Sequence, residues 1–235
     1  MRGALREDDL GQLFGINVGG DPHDDPYGNI FRVFNHFYDP IFDRPLTVVT
    51  AEKAPNWALG STDAFANPIQ PNTSRRNHFT VFDAREAMYR ALTGKKKDGT
   101  DAGPNNQPAT EAHRKAYWAT LFRALGDVVH LVQDMGQPQH TRNDPHSGVP
   151  GAGHKSFYEL YLDCRATGNL TREVQSAGVK QCGTLIYSGY PTPTFTKYAG
   201  YFSTRTGTNG KGLADYSNRG FFSAGSNLGN NPYSL

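Results

Sequence analysis

Apolar residues recur with helical spacing in five stretches of the chain. Between residues 29 and 38, Ile30, Val33, Phe34 and Phe37 fall three and four apart, and Asp39-Pro40 closes a short amphipathic helix. A second helix starts near Phe82-Asp83, carries Ala84, Ala87, Met88, Ala91 and Leu92 on one side, and stops at Gly94, a residue suited to the left-handed C-terminal cap. The longest pattern covers 111–135. Ala116, Ala119, Phe122, Val129 and Val132 form one stripe there, with Leu121, Leu125 and Val128 beside it, and an arc that wide predicts a largely buried helix. Thr110 is placed to cap its start, and Gly136 and Pro138 end it. Segments 156–164 and 212–222 are also helical in pattern, whereas 94–110 (GKKKDGTDAGPNNQPAT) has no period and is expected to be an exposed loop. The chain shows no internal repeat and no domain boundary.

Composition narrows the class. In 235 residues, 12% are aromatic and the formal net charge is only +2, so a packed core is expected in place of disorder. A sequence pI near 8.5 is too mild to argue for nucleic acid, and the basic run Lys95–Lys97 lies in the polar loop. No stretch approaches the roughly 18–20 apolar residues needed to cross a bilayer. Cys164 and Cys182 by themselves allow one disulfide or none.

The chemistry concentrates in Leu125-Gly-Asp-Val-Val-His-Leu-Val-Gln-Asp-Met-Gly-Gln-Pro-Gln-His140. His130 and Asp134 are one helical turn apart, separated by roughly 40° around the axis, so two metal-ligand types point the same way. The break at Gly136 and Pro138 presents His140 from a fixed loop beside that pair. An HxxxD pair is often a surface ion pair, but here it has company. His36 closes the first helix, His154 and Glu159 follow a Gly-rich turn, and Glu7-Asp8-Asp9 precede Leu10. Imidazoles mixed with carboxylates and without nearby thiolates suit a hydrolytic zinc site better than a closed structural one.

The combination Asn-His-Phe-Tyr-Asp-Pro (35–40), HxxxD followed by Gln-Pro-x-His (130–140), and Gly-His with Tyr-Glu (153–159) resembles the bacterial zinc-dependent phospholipase C family, which shares a superfamily with single-strand-specific zinc nucleases. The resemblance implies an all-α, single-domain multi-helix bundle with long loops over 1–235 and up to three Zn²⁺ ions in a cleft. It matches Asp8 to an early zinc-binding aspartate that serves as general base, and His36, His130 and Asp134 to the other ligands of that zinc, with Asp134 bridging to a neighbour. It matches His140, His154 and Glu159 to a further zinc. The family spacing of the last motif is HxxxE, whereas His154 and Glu159 are five apart, so Asp144 and His146 are the substitutes to test. The family's N-terminal tryptophan and a nearby histidine have no counterpart, so the resemblance implies a longer protein lacking its first segment here. Export to the periplasm or beyond follows from the same likeness, with Cys164 and Cys182 then paired.

The expected activity is zinc-dependent hydrolysis of a phosphodiester, first of a phospholipid, with peripheral membrane contact, no transmembrane segment, and a monomeric protein. Phe37, Tyr38 and Tyr158 are candidates for an apolar cleft rim. The alternative is a nuclease, for which Arg32 and Arg142 would supply cations; a third possibility is a non-catalytic zinc-binding domain.

Overall fold

The computed structural model describes residues 11–13, 16–19, 32–146, 156–170, 172, 175, 181–183, 194–205 and 210–220. An antiparallel hairpin, β1 (Gly11–Leu13) and β2 (Ile16–Gly19), sets Leu13 opposite Ile16. All further named elements are helical: a 3-10 helix at Arg32–His36, then α1 (Ala54–Leu59), α2 (Val81–Thr93), a 3-10 turn at Pro104–Asn106, α3 (Glu111–Asp134), α4 (Pro138–Thr141), α5 (Phe157–Thr167), α6 (Ala199–Phe202) and α7 (Leu213–Gly220). The helical class expected from the sequence is the one observed.

Local chemistry explains where the main helices begin and end. Thr80 caps α2 through a reciprocal box: its side chain accepts from Asp83 N, and Asp83 Oδ2 accepts from Thr80 N at 2.9 Å. Gly94 ends α2 in the left-handed conformation, as its sequence position predicts. Thr110 caps α3 in the same reciprocal way with His113. Gly60 ends α1 at φ 71°, and a Cβ there would lie 2.7 Å from Thr80 Oγ1, so this glycine lets α1 dock against the start of α2. The 94–110 connection is mostly exposed, but Ala102 and Gly103 are buried, and Ala102 O accepts from the Tyr117 hydroxyl.

α2 and α3 form an antiparallel pair through small side chains, with Ala84 and Ala87 against Leu121 and Ala124, flanked by Phe79 and Trp118. A second core surrounds the C-terminal half of α3, where Leu131 and Met135 meet Trp57, Ala54, Ala58, Tyr38, Phe202 and Ala214. This core lies directly behind the candidate ligands of α3. The Cys164–Cys182 disulfide ties α5 to residues 181–183, among Leu160 and Leu170.

Two sequence expectations change. The first helix is a 3-10 segment, Arg32–His36, that ends before Phe37 and Tyr38, and residues 29–31 of the predicted pattern lie outside the described residues. The predicted apolar stripe of α3 is not its buried side: Leu121, Ala124, Asp127 and Leu131 are buried, while Phe122 (65% exposed), Leu125 and Val129 face solvent. The neighbours of α3 pack on one flank of its apolar arc, and Phe122, Leu125 and Val129 lie on the other.

Candidate metal centre

Asp127, one turn before His130 on α3, is fully buried and holds the 3-10 helix in place. Its Oδ2 accepts from Arg32 Nη2 at 2.9 Å, and Arg123 Nε approaches the same carboxylate at 3.1 Å. The Arg32 guanidinium lies over the Trp57 ring, and its Nη1 donates to Asn77 Oδ1. One turn after Arg32, His36 is thereby set against the next turn of α3, with its ring 4.9 Å from that of His130.

Asp134 is the hub. Its Oδ2 lies 2.9 Å from His36 Nδ1, 3.3 Å from His130 Nε2 and 3.6 Å from His140 Nδ1. These contacts are close but not aligned as hydrogen bonds, so Asp134 Oδ2 and His140 Nδ1 are both buried polar atoms without a directed partner. His140 then faces the other way with its second nitrogen: Nε2 is 3.2 Å from His146 Nε2, which in turn is 3.4 Å from Glu159 Oε1. Two donor groups result, His36/His130/Asp134 and His140/His146/Glu159, each with its atoms within 4.8 Å of one another.

The second group is held from several sides. His140 sits on the short helix α4, not in a loop as the sequence suggested, and α7 buttresses that turn through Thr141 Oγ1 to Ser217 Oγ at 3.0 Å and Arg142 Nε to Asn218 O at 2.8 Å. Phe37 packs on the His140 ring at 4.6 Å and on His146 at 5.9 Å. Glu159 occupies the third position of α5, where Ser156 Oγ accepts from its backbone N at 3.1 Å, and its carboxylate accepts from Gln137 Nε2. Glu159 is the exposed member of the set, its side chain 54% accessible, so the assembly opens toward solvent on that side.

Electrostatics suit ligation. Burial alone would raise the Asp134 carboxyl, but the neighbouring His140 and His36 outweigh it and hold Asp134 below the usual carboxylate range. Burial pushes His140 down to about 3, against the opposing pull of Asp134, so its imidazole is neutral at physiological pH and keeps a lone pair. The donor chemistry also fits zinc. Zn–N bonds of about 2.0–2.1 Å in a tetrahedron place ligand atoms about 3.3 Å apart, close to the 3.2 and 3.4 Å separations around His146.

No family model, curated protein or solved structure matches this chain. Of the ligands expected from sequence, His36, His130, Asp134, His140 and Glu159 converge; Asp8 and His154 lie outside the described residues. His146 joins His140 and Glu159, while the other substitute, Asp144, is buried and belongs to neither donor group. Gln137 and Ser156 were not anticipated, although Ser156-x-x-Glu159 is a readable helix-start signature. The two arginines that would have served a nuclease, Arg32 and Arg142, are both buried and engaged inside the protein. Phe37 and Tyr38 are buried as well, and of the two Phe37 lines the centre.

Proposed function

We propose that this protein is a zinc-dependent phosphodiester hydrolase that acts on phospholipids in the manner of a phospholipase C, and that it works outside the cytoplasm. The observation that carries this reading is the Asp134 hub, a buried carboxylate oxygen facing His36, His130 and His140, with His140 passing on to His146 and Glu159. His36, His130 and Asp134 would hold one zinc, and His140, His146 and Glu159 a second. Zinc at such sites supplies Lewis-acid polarisation of a phosphoryl oxygen and acidifies water.

The chain's own residues do the rest. Asp134 stays ionised because histidines surround it, and its Oδ2, 3.6 Å from His140 Nδ1, acts on that ring through its charge. The two carboxylates of the described set do not neutralise two divalent ions, so a positive excess remains to attract a phosphate diester. Phe37 closes one wall with an apolar ring and keeps water from the imidazoles. Substrate approaches past the exposed Glu159. Asp8, matched to the family's general base, is the group we assign to proton removal from the attacking water.

Burial of Arg32 and Arg142 weighs against the nuclease alternative, because neither guanidinium is available to a phosphate backbone. The disulfide between Cys164 and Cys182 agrees with an oxidising compartment, and among the described residues no helix is long and apolar enough to cross a membrane. The test is an assay of zinc-loaded protein on a chromogenic phosphocholine ester and on single-stranded DNA, each with and without chelator. Chelator-sensitive hydrolysis of the ester supports the proposal; hydrolysis of DNA alone, or of neither, refutes it.

A further inference from the structure

The loop that leaves the 3-10 helix exposes four large apolar side chains, Ile41 (54%), Phe42 (47%), Val48 (65%) and Val49 (37%). They are not on a loose segment. Asp39 and Arg44 pair through both backbone bonds at 3.0 and 3.2 Å, and the Asp39 carboxylate accepts from the Ile41 and Phe42 backbone N and from Arg44 Nε. The pins that follow lead to the metal centre. Thr47 N donates to Asn143 Oδ1 at 3.0 Å, Asn143 Nδ2 donates to Pro45 O at 2.8 Å, Glu52 N donates to Asn35 Oδ1 at 2.6 Å, and Tyr38 N donates to His140 O at 3.0 Å. Asn35 adjoins His36, and Asn143 lies between His140 and His146 in the chain. Leu46, between the two apolar pairs, is buried and anchors the middle.

We propose that the loop spanning residues 39–50 seats the protein on a zwitterionic phospholipid surface, bringing the donor cluster to the lipid headgroups. This rests on the phospholipid reading above and adds the means of reaching an aggregated substrate. Four apolar side chains exposed on a backbone fixed by hydrogen bonds lose little order on insertion, so their transfer into acyl chains is favourable, with the Arg44 guanidinium that stacks on Phe42 at 4.6 Å left at headgroup level. Charge selects the kind of lipid. The charges at the loop are matched locally, Asp39 with Arg44, Asp43 with Lys53 and Arg205, and Arg205 also with Asp63. Without a surplus of cations the loop has no preference for anionic lipid, and attachment follows buried apolar area.

The experiment is flotation of the full chain with phosphatidylcholine vesicles, at low and high salt, comparing wild type with Ile41→Ser/Phe42→Ser and with Val48→Ser/Val49→Ser. Hydrolysis of the soluble phosphocholine ester by the same preparations serves as control. We expect salt-insensitive binding of wild type, a loss of about tenfold or more in partitioning for each double variant, and unchanged turnover of the soluble ester. Equal binding of the variants, binding only to vesicles containing anionic lipid, or a dimer broken by the same substitutions would overturn it. Vesicle binding without ester hydrolysis keeps the docking loop and removes the hydrolase reading.

Discussion

Arg32 and Asp127 meet at 2.9 Å, both buried, although 95 residues separate them in the chain. Their contact fixes where the 3-10 helix crosses α3, and hence where His36 stands relative to His130 and Asp134. Truncating Asp127 strips the buried Arg32 guanidinium of its carboxylate, which typically costs about 3–5 kcal/mol, while truncating Arg32 costs less because Arg123 still reaches Asp127. Asp127→Ala should therefore lower stability on that scale in urea unfolding, and Arg32→Ala by a smaller amount. Each should also weaken zinc binding at the His36 group, although neither residue is a ligand. Wild-type zinc affinity in both variants would show that the pair does not position His36.

Asp134 touches both donor groups, so its loss should differ in kind from that of any histidine. His130→Ala should remove one zinc equivalent and abolish turnover. Asp134→Ala should remove the same zinc and also weaken the second by about 10–100-fold, the usual scale for an outer-shell partner of a histidine ligand. Metal analysis after dialysis against graded chelator separates the two. If Asp134→Ala leaves the second zinc at full affinity, the coupling through His140 Nδ1 has no energetic weight.

The choice between His146 and His154 is open to direct measurement. His146→Ala should release the zinc of the His140 group and leave the other in place, whereas His154→Ala should retain both. The reverse result would return the ligand role to His154, as family spacing first suggested.

Acid should loosen the metal-free protein in two stages. His140 has its folded pKa pushed down to about 3, below the unfolded value of about 6.5. Between those values the unfolded chain binds a proton that the folded one excludes, so stability falls as pH drops through that window, by up to about 1.4 kcal/mol per pH unit. Asp134 is also lowered; its contribution is present above the usual carboxylate pKa and is lost as pH falls below it. Melting temperature against pH for the chelated protein should show both, and His140→Gln should flatten the upper slope. A flat profile in the wild type would mean that His140 is not held neutral by burial.

Much of the helix layout can be read from the sequence because its signals are local. Thr80, Gly94 and Thr110 act within one turn of where they stand, and His130 and Asp134 share a face because helix geometry requires it. What the sequence does not reveal depends on distant partners. Nothing around Arg32 announces a carboxylate 95 residues away, so it passes for a surface cation. The exposed flank of α3 is misassigned because periodicity measures how wide an apolar arc is and not which part of it a neighbour covers. His146, one of the two substitutes that the broken spacing suggests, stands with His140 and Glu159, while His154 lies outside the described residues. Helix α1 went unseen because six residues that include Pro55 and Asn56 carry no full period; tertiary burial of Trp57 and Leu59 holds it.

The donor set is unevenly drawn from the chain. His130, Asp134, His140 and His146 come from one short stretch, whereas His36 and Glu159 arrive from either side of it. Bringing the four together requires only closure of small loops, which forfeits little chain entropy. A metal ion could therefore find a partial site in a chain whose remote elements are still unassembled, and each later ligand would then be recruited by a charge already in place. On that view the ion is a participant in folding order as well as in chemistry, and zinc supply during refolding should alter the rate at which the native state is reached as well as its final stability.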